Sequence, residues 1–302
     1  MRRLRTTVTT WLPSPFLRGS ALFQLAGWPL AYWAGSTLPG LTELLLMNHA
    51  LITLASLWPQ SPLLGPNLVR LPKAERGEIA LTFDDGPDPV VTPWVLDLLD
   101  HYGATASFFC IGERARRYPD LVREIGARGH RVENHGYSHR WNFALRGVAA
   151  IREELRRAQD TLTELAVRPP VFFRAPFGIR NPWIEPLLRP LGLRLASWSR
   201  RGYDGALGDP DLVTALLLRG LRRGDIVLLH DGGCARDRNG RPVVIAVLPR
   251  LLEEAARKKL RVRSLDQALE GTRMALGSEA RDRHKHARPG AKSAILNPKG
   301  DP

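Results

Sequence analysis

The 302-residue chain contains only two cysteines, Cys110 and Cys234, and fewer acidic than basic residues. Two cysteines cannot define a disulfide framework, and their spacing is not that of a zinc finger. Only 30 Asp and Glu stand against 44 Lys and Arg, so the formal net charge is +14. Because the sequence also lacks a helix-turn-helix pattern and an aromatic RNA-binding motif, this charge does not indicate a nucleic-acid partner. We interpret it as solvated helix faces and attraction to anionic membranes or cell-wall polymers.

The sequence has no uninterrupted apolar run of the roughly 20 residues that cross a bilayer, yet its first 72 residues differ from the rest. Residues 21–38 and 41–58 are largely apolar, and Trp28, Trp33 and Trp58 lie near their ends, as interfacial anchors would. We expect 1–72 to form an N-terminal membrane-associated helical segment, a hairpin or an embedded amphipathic pair, with a soluble helical cap as the alternative. A removable signal peptide fits poorly, because the apolar zone is doubled and lacks a clear small-residue cleavage site.

Basic residues flank this apolar zone on both sides. They are Arg2, Arg3, Arg5 and Arg18 before it, and Arg70, Lys73 and Arg76 after it. If both stretches span, the positive-inside rule places the following domain in the cytoplasm, whereas a single span makes it face outward. The predicted localisation is therefore a bacterial-type inner (plasma) membrane, with the cytoplasmic face favoured by the charges. Residues 271–302 are expected to be a basic disordered tail.

Residues 73–270 alternate between β-type and helical patterns. Strands are predicted at 78–83, 104–111, 130–135, 171–175, 193–198, 225–230 and 260–263, and helices at 92–101, 120–128, 147–166, 182–190, 209–222 and 242–258. Strands separated by helices predict a parallel α/β sheet. Polar clusters recur at the strand ends, which favours a barrel over the alternative, an open doubly wound sheet.

Two adjacent carboxylates, Asp84 and Asp85, follow the first of these strands. Strand alternation aims neighbouring side chains in different directions, so one carboxylate can bind a metal while the other acts as a base, provided that the backbone turns at 86–87. The alternative is an ordinary surface Asp-Gly turn.

His135 and His139 are spaced so that one helical turn or a tight loop brings both imidazoles to one ion. The alternative is that each is an ordinary surface or core histidine. Together with Asp85 they would form a three-ligand site with an open position, as catalytic zinc requires. Zn²⁺ suits this donor set best, and divalent cobalt, nickel and manganese are also compatible with it.

Further polar groups end other strands. His230 follows the most apolar strand, where α/β barrels keep catalytic groups, although a plain strand-terminating histidine is the alternative. Arg174 follows the apolar strand residues 171–173 and could orient Asp84, and the loop after it offers an amide to a developing oxyanion. Trp198 provides an apolar wall, and Asp204 a carboxylate that tunes an imidazole.

These motifs, in this order, resemble the polysaccharide deacetylase family, the NodB-homology carbohydrate esterases of family 4, over about residues 77–265. The motifs are Thr-Phe-Asp-Asp-Gly-Pro at 82–87, His-x-x-x-His at 135–139, Arg-x-Pro-Phe-Gly at 174–178 and Leu-Leu-His-Asp at 228–231. The resemblance implies a distorted (β/α)7-type, NodB-like barrel and metal-dependent removal of N-acetyl or O-acetyl groups from a carbohydrate. It also implies roles for individual residues: Asp84 the general base, Asp85, His135 and His139 the metal ligands, Arg174 the arginine that holds the base, Leu228 the wall of the acyl pocket and His230 the general acid.

The sequence departs from the family pattern at several positions. Gly136 stands where Ser or Thr is usual, Phe177 replaces a frequent Tyr, and the usual Asp-x-x-Asp-Trp becomes Arg-Gly-Tyr-Asp-Gly at 201–205. The second Asp of that motif survives as Asp204, which could tune either Arg174 or His230. The changes at 201 and 205 lie where the family contacts the acyl group and the sugar, so the substrate need not be ordinary chitin or peptidoglycan.

The mechanism predicted from these residues begins with a metal-bound water that Asp84 deprotonates and that attacks the amide carbonyl. The metal and the Phe177 N–H would stabilise the oxyanion, and His230 would protonate the leaving amine. The expected partners are an acetylated glycan or a lipid-linked sugar, together with a membrane. Two other functions compete: a deacylase or deformylase of a lipid-linked sugar at the membrane, and a catalytically silent carbohydrate-binding barrel.

Overall fold

The computed structural model describes residues 12–35, 38–72 and 77–270, and within them eight parallel strands form one sheet. The strands are β1 (Glu78–Asp84), β2 (Ser107–Cys110), β3 (Arg131–Asn134), β4 (Phe172–Phe173), β5 (Arg194–Leu195), β6 (Arg200–Arg201), β7 (Ile226–His230) and β8 (Arg261–Arg263). Every residue of β1 is buried, as expected for a parallel strand covered on both faces. Its neighbours are β2, β7 and β8.

The sheet curls until its two edges approach each other. The strand order is β5-β4-β3-β2-β1-β7-β6, so the edge strands are β5 and β6, yet only residues 196–199 separate them in the chain. Such a link spans at most roughly 17 Å. Leu68 lies in the gap, where its N–H donates to the Leu195 carbonyl at 3.1 Å and its carbonyl accepts from the Ser197 N–H at 2.9 Å. The result is a curled, incompletely closed barrel, which confirms the predicted α/β barrel in this form.

Helices pack on the outer face of the sheet. They are α3 (Val91–His101), α4 (Gly112–Arg117), α5 (Pro119–Ala127), α6 (Val148–Leu165), α7 (Ile184–Leu188), α8 (Pro210–Leu218) and α9 (Val243–Arg257). Alternate β1 residues, including Leu81 and Phe83, join the large core cluster with α3 and α9, whereas Ala80 joins a separate cluster with Phe109 and Leu228. Period-two alternation therefore places Asp84 on the same inner face as Ala80.

Most predicted elements are found, with two additions and several strands shorter than predicted, β4 and β5 most of all. The sequence pattern did not predict α4 or β6, and β4 and β5 are only two residues long where five and six were expected. These short strands lie at or next to the edges of the curled sheet, where neighbouring segments pair through single bridges, as Leu68 does with Ala196.

The N-terminal part forms two helices, α1 (Pro15–Ala34) and α2 (Leu41–Leu57), that pack on each other. Their polar side chains face one another: the Gln24 amide donates to the Leu45 carbonyl at 2.9 Å and to Asn48 Oδ1 at 3.0 Å, and Asn48 donates to Ser20 Oγ at 3.0 Å. The segment after α2 then joins the barrel, since Gln60 donates to the Trp198 carbonyl at 2.8 Å.

The prediction of a membrane-spanning hairpin is wrong, and with it the predicted inner-membrane localisation and its cytoplasmic orientation. No helix within the described ranges combines the length and the apolar character of a membrane span. The reason is visible in the two helices: α1 contains Arg18, Gln24 and Pro29, and α2 has only 17 residues, with Glu43 in its first turn. The basic tail predicted at 271–302, and Arg2, Arg3, Arg5, Lys73 and Arg76, lie outside the described residues. The domain divisions near residues 72 and 270 remain a prediction.

Candidate active site

The loops after β1 and β3 bring three donor groups together at the carboxyl edge of the sheet. Asp85 directly follows β1 in a left-handed backbone conformation (φ 70°), and His135 directly follows β3. Asp85 Oδ1 lies 3.3 Å from His135 Nε2 and 3.0 Å from His139 Nε2. The three ligand atoms all lie within 4.8 Å of one another. The structure therefore brings together the three residues that the sequence predicted as metal ligands.

The donor chemistry of these residues fits a divalent cation. His135 Nδ1 lies 2.9 Å from the Arg174 carbonyl, which acts as its acceptor, so Nε2 is the ring nitrogen that faces Asp85 and remains for a cation. Asp85 Oδ1 is buried and has no hydrogen-bond partner among the described residues. A carboxylate oxygen opposite two imidazole nitrogens needs a cation or protons between them, and one oxygen with two nitrogens is a donor set of catalytic zinc sites.

Charges within the cluster shift the pKa values of its members. Burial acts to raise the pKa of Asp85, but the nearby imidazoles of His135 and His139 hold it well below the usual range. Burial and the charge of His135 lower the pKa of His139 to about 4. Asp85 is thus ionised and His139 neutral near pH 7, which are the protonation states that bind a metal. Burial acts to lower the pKa of His135, but Asp84 and Asp85 raise it, so a cation would displace a proton from that imidazole.

Asp84 points into the barrel and is held by a buried arginine. Its Oδ1 accepts from Arg174 Nη1 at 2.6 Å, and the same Nη1 donates to Thr82 Oγ1 at 2.9 Å. Its other oxygen, Oδ2, lies 3.9 Å from His135 Nε2, beside the donor cluster. One carboxylate oxygen is therefore fixed, and the other faces the place where a nucleophile would lie.

The Arg174 side chain is only 1% exposed, so its position depends on buried partners. Nε donates to the Ala196 carbonyl at 3.2 Å and Nη2 to the Ser197 carbonyl at 3.0 Å. The guanidinium also lies 4.0 Å from the centre of the Phe109 ring. These contacts satisfy a buried charge and keep Asp84 in one orientation.

His230 lies opposite Asp84 in the register of β1 and β7 and has its own carboxylate. Its Nδ1 lies 3.0 Å from Asp204 Oδ1, and its backbone N–H donates to Asp204 Oδ2 at 2.7 Å. Burial acts to lower the pKa of His230, but the hydrogen bond and charge of Asp204 raise it to about 9. The imidazole is therefore protonated at neutral pH. Of the two partners left open for Asp204, Arg174 and His230, the structure pairs it with His230.

One cleft of about 400 Å³ is lined by Asp84, Asp85, His135, His139 and His230. Its walls also contain the three residues predicted to contact the substrate: Phe177, Trp198 and Leu228. Phe177 is 55% exposed in a left-handed conformation (φ 58°), and its ring centre lies 4.9 Å from that of His139. Leu228 and Trp198 are buried, so they offer an apolar surface to a small acyl group.

Other residues of the site were not singled out from the sequence. Arg114 Nη1 donates to the Asp85 carbonyl at 2.8 Å, which holds the turn that carries this ligand. Glu154 accepts from the backbone N–H of Tyr137 at 3.1 Å and of Ser138 at 2.9 Å, and so holds the loop between the two histidines. Neither residue belongs to a motif. Thr82 begins the motif at 82–87, and its hydroxyl oxygen accepts a hydrogen bond from Arg174 and so helps to hold the guanidinium.

Comparison with known proteins gives a consistent result. A model of the polysaccharide deacetylase family matches residues 72–196. A peptidoglycan-N-acetylglucosamine deacetylase from Bacillus cereus is 35% identical over 198 residues, which are 63% of this chain and 87% of that protein. A chitooligosaccharide deacetylase from Azorhizobium caulinodans is 35% identical over 181 residues, 57% of this chain and 85% of that protein.

The fold agrees with that of solved relatives. A peptidoglycan N-acetylglucosamine deacetylase in complex with an N-oxidanyl-benzamide compound superposes with a TM-score of 0.60 and 28% identity. The match covers 68% of this chain and 92% of that one. By sequence and by fold, the chain belongs to the polysaccharide deacetylase family and is a hydrolase of carbon–nitrogen bonds other than peptide bonds.

Proposed function

We propose that this chain is a metal-dependent deacetylase that removes an N-acetyl or O-acetyl group from a carbohydrate. The observation that carries the proposal is the convergence of Asp85, His135 and His139 in the cleft that also contains Asp84 and His230. A divalent cation held by the three ligands would supply Lewis acidity, which activates water and polarises the acetyl carbonyl. Zn²⁺ suits these donors best.

Asp84 is the general base of the proposed reaction. Arg174 holds Asp84 Oδ1 and is itself held by Thr82 Oγ1, so that Asp84 Oδ2 is directed toward the donor cluster. There it accepts the proton that the attacking water loses. A base that is fixed before the substrate binds lowers the barrier, because no reorganisation is needed during the reaction.

His230 is the general acid. Its raised pKa means that the imidazolium is populated at neutral pH, and Asp204 occupies Nδ1, so Nε2 is the atom that donates a proton to the leaving amine or alcohol. In this scheme Asp204 is a positioning residue, since it acts through the imidazole.

The remaining walls bind the acetyl group. Leu228 and Trp198 enclose its methyl, and the backbone N–H of Phe177 donates to the developing oxyanion. Support for this donor comes from the loop itself: Gly178 and Ile179 donate to the Ala175 and Pro176 carbonyls, whereas Phe177 N–H has no backbone acceptor among the described residues.

The names of the relatives support an acetylated glycan as the substrate, because one is named for peptidoglycan N-acetylglucosamine and another for chitooligosaccharides. The test is acetate release by the purified full chain from acetylated chitooligosaccharides and peptidoglycan fragments. It is run before and after chelation, and again after addition of Zn²⁺, Co²⁺, Ni²⁺ or Mn²⁺. Metal-restored release supports the proposal. Glycan binding without release from any substrate, with metal bound, would instead identify a silent carbohydrate-binding barrel.

A further inference from the structure

Arg201 is a cation on the wall of the cleft whose role the proposed reaction does not explain. Its guanidinium carbon lies 4.1 Å from the centre of the Tyr203 ring and 5.4 Å from that of Trp198. The two aromatic rings therefore support the guanidinium plane and leave its N–H donors free to bind in plane.

No acceptor for this guanidinium is present in the described part of the chain. Arg201 makes no ion pair or side-chain hydrogen bond there, and its Nε is buried without a partner. Its neighbour Arg200 shows the contrast, because Arg200 Nε donates to Asp225 Oδ2 at 2.9 Å and its other nitrogens donate to backbone carbonyls. Since buried donors are normally satisfied, the unpaired fork of Arg201 points to a ligand.

The carboxylates that line the same cleft face groups other than Arg201. Asp84 is paired with Arg174, and Asp85 faces the two imidazoles. His230 is paired with Asp204, a buried carboxylate that does not line the cleft. Arg201 is thus a positive charge in the cleft without a counter-ion among the described residues, and a planar guanidinium fork matches a carboxylate or a phosphate.

Arg201 also lies where the catalytic cleft meets a second cavity of about 360 Å³. The two cavities share Trp198 and Arg201, and the second is also lined by Trp58, Gln60 and Tyr203. Trp58 and Tyr203 are 53% and 46% exposed, and exposed rings of this kind stack on the apolar faces of sugars. The second cavity therefore has room for a saccharide unit beyond the acetylated one, and Arg201 lies between the two sugar units.

We propose that the substrate is an acidic glycan, and that Arg201 binds a carboxylate or phosphate on the acetylated sugar or on the unit next to it. This inference rests on the proposed deacetylase function and specifies its substrate class.

The test compares three glycans of equal length: a neutral N-acetylglucosamine oligomer, the same oligomer with a carboxylate-bearing 3-O-lactyl ether, and the same oligomer with a 6-phosphate. The readout is the ratio of kcat/KM for each acidic glycan to kcat/KM for the neutral one. We expect the wild type to favour one acidic glycan by about 10- to 100-fold, the range for hydrogen bonds to a charged group. Arg201→Gln should lose most of this ratio, and Arg201→Lys, which keeps the charge but not the fork, should retain part of it. The preferred glycan tells carboxylate from phosphate.

Arg123→Gln is the matched control, because it removes the same charge from an exposed position on α5 and should keep the wild-type ratio. Circular dichroism and metal content verify that each variant is folded. A wild type with equal kcat/KM for all three glycans, or an Arg201→Gln protein that keeps the preference, would overturn the inference.

Calorimetric binding to an Asp84→Asn protein separates this inference from the proposed function. If no glycan releases acetate, the function fails, yet tighter binding of an acidic glycan that is lost in the Asp84→Asn, Arg201→Gln double variant would still support Arg201 as its site. Equal binding of acidic and neutral glycans would reject the role of Arg201, whatever the activity.

Discussion

The two sides of the cleft are built in different ways. On one side, Asp84 ends the central strand β1, Asp85 and His135 directly follow β1 and β3, and buried partners fix the side chains of Asp84 and His135. On the other side, Arg201 comes from an edge strand, Tyr203 from a loop, and Trp58 from the segment after α2, residues 58–72, which we call the linker. They present exposed rings and an unpaired cation. We therefore expect the strand ends to form the catalytic side of the cleft, and the edge of the barrel to form its glycan side, which would select the glycan that is bound.

The largest effect that we predict is the loss of kcat on substituting the base, Asp84, on the catalytic side of the cleft. Asp84→Asn should keep the metal ligands but lower kcat by about two or more orders of magnitude, because a positioned base contributes 10²–10⁴-fold. Turnover and bound metal are measured on the same preparation. Undiminished turnover of the Asp84→Asn protein would show that Asp84 is not the general base. If this variant also lost its metal, the fall in kcat would show a role of Asp84 in metal binding instead.

The next effect concerns His230 and its dependence on pH. A general acid works while protonated, so with a pKa of about 9 the rate should fall as the pH rises through about 9. Asp204→Asn removes the charge that raises this pKa, and the alkaline limb of kcat/KM should move toward the ordinary value near 6.5, with a loss of roughly 10- to 30-fold at pH 8. An unchanged limb in a folded Asp204→Asn protein would show that His230 does not act as this acid.

The same His230 pKa predicts a change in stability. Because the folded-state pKa lies above the unfolded value of about 6.5, the His230–Asp204 pair stabilises the fold fully below that value, and this contribution disappears as the pH rises through about 9. The wild type should therefore lose more stability than Asp204→Asn between pH 6.5 and 9, as measured by denaturant unfolding.

The sequence predicted the catalytic side better than the glycan side. Strand periodicity and polar strand ends indicated the barrel and grouped Asp85 with His135 and His139, because parallel strands end at one edge. It did not predict β6, the docking of the linker at Gln60, or which partner Asp204 takes, since these depend on how far the sheet curls. The membrane prediction failed because the apolar stretches do not form helices with the length and apolar character of a span: α1 contains Arg18, Gln24 and Pro29, and α2 has only 17 residues.

The join between the linker and the barrel can be tested by stability. Gly178 has a positive φ of 74°, and an added Cβ would lie 2.6 Å from Trp198 Cη2 and 2.7 Å from Pro59 Cγ. Gly178→Ala should therefore destabilise the protein by about 2–4 kcal/mol through backbone strain and overpacking. Gly192→Ala is the control, because Gly192 has a similar φ of 70° but no atom within 4 Å of the added Cβ, so it should cost only the strain. Equal losses in the two variants would mean that the linker is not packed tightly on Trp198.

The smallest effect is expected from the aromatic surface of the second cavity. Trp58→Ala removes one exposed ring beside Gln60 and Tyr203, and stacking of this kind contributes about 0.5–1.5 kcal/mol. KM should rise roughly threefold to tenfold for a tetrasaccharide and less for a disaccharide, because only the longer glycan extends into the second cavity, while kcat changes little. Trp94→Ala on α3 removes an equally exposed ring that lines neither cavity and should change KM for neither glycan. If Trp58→Ala instead lowered kcat for both glycans alike, the linker would belong to the catalytic side, and the division between chemistry and glycan selection would not hold.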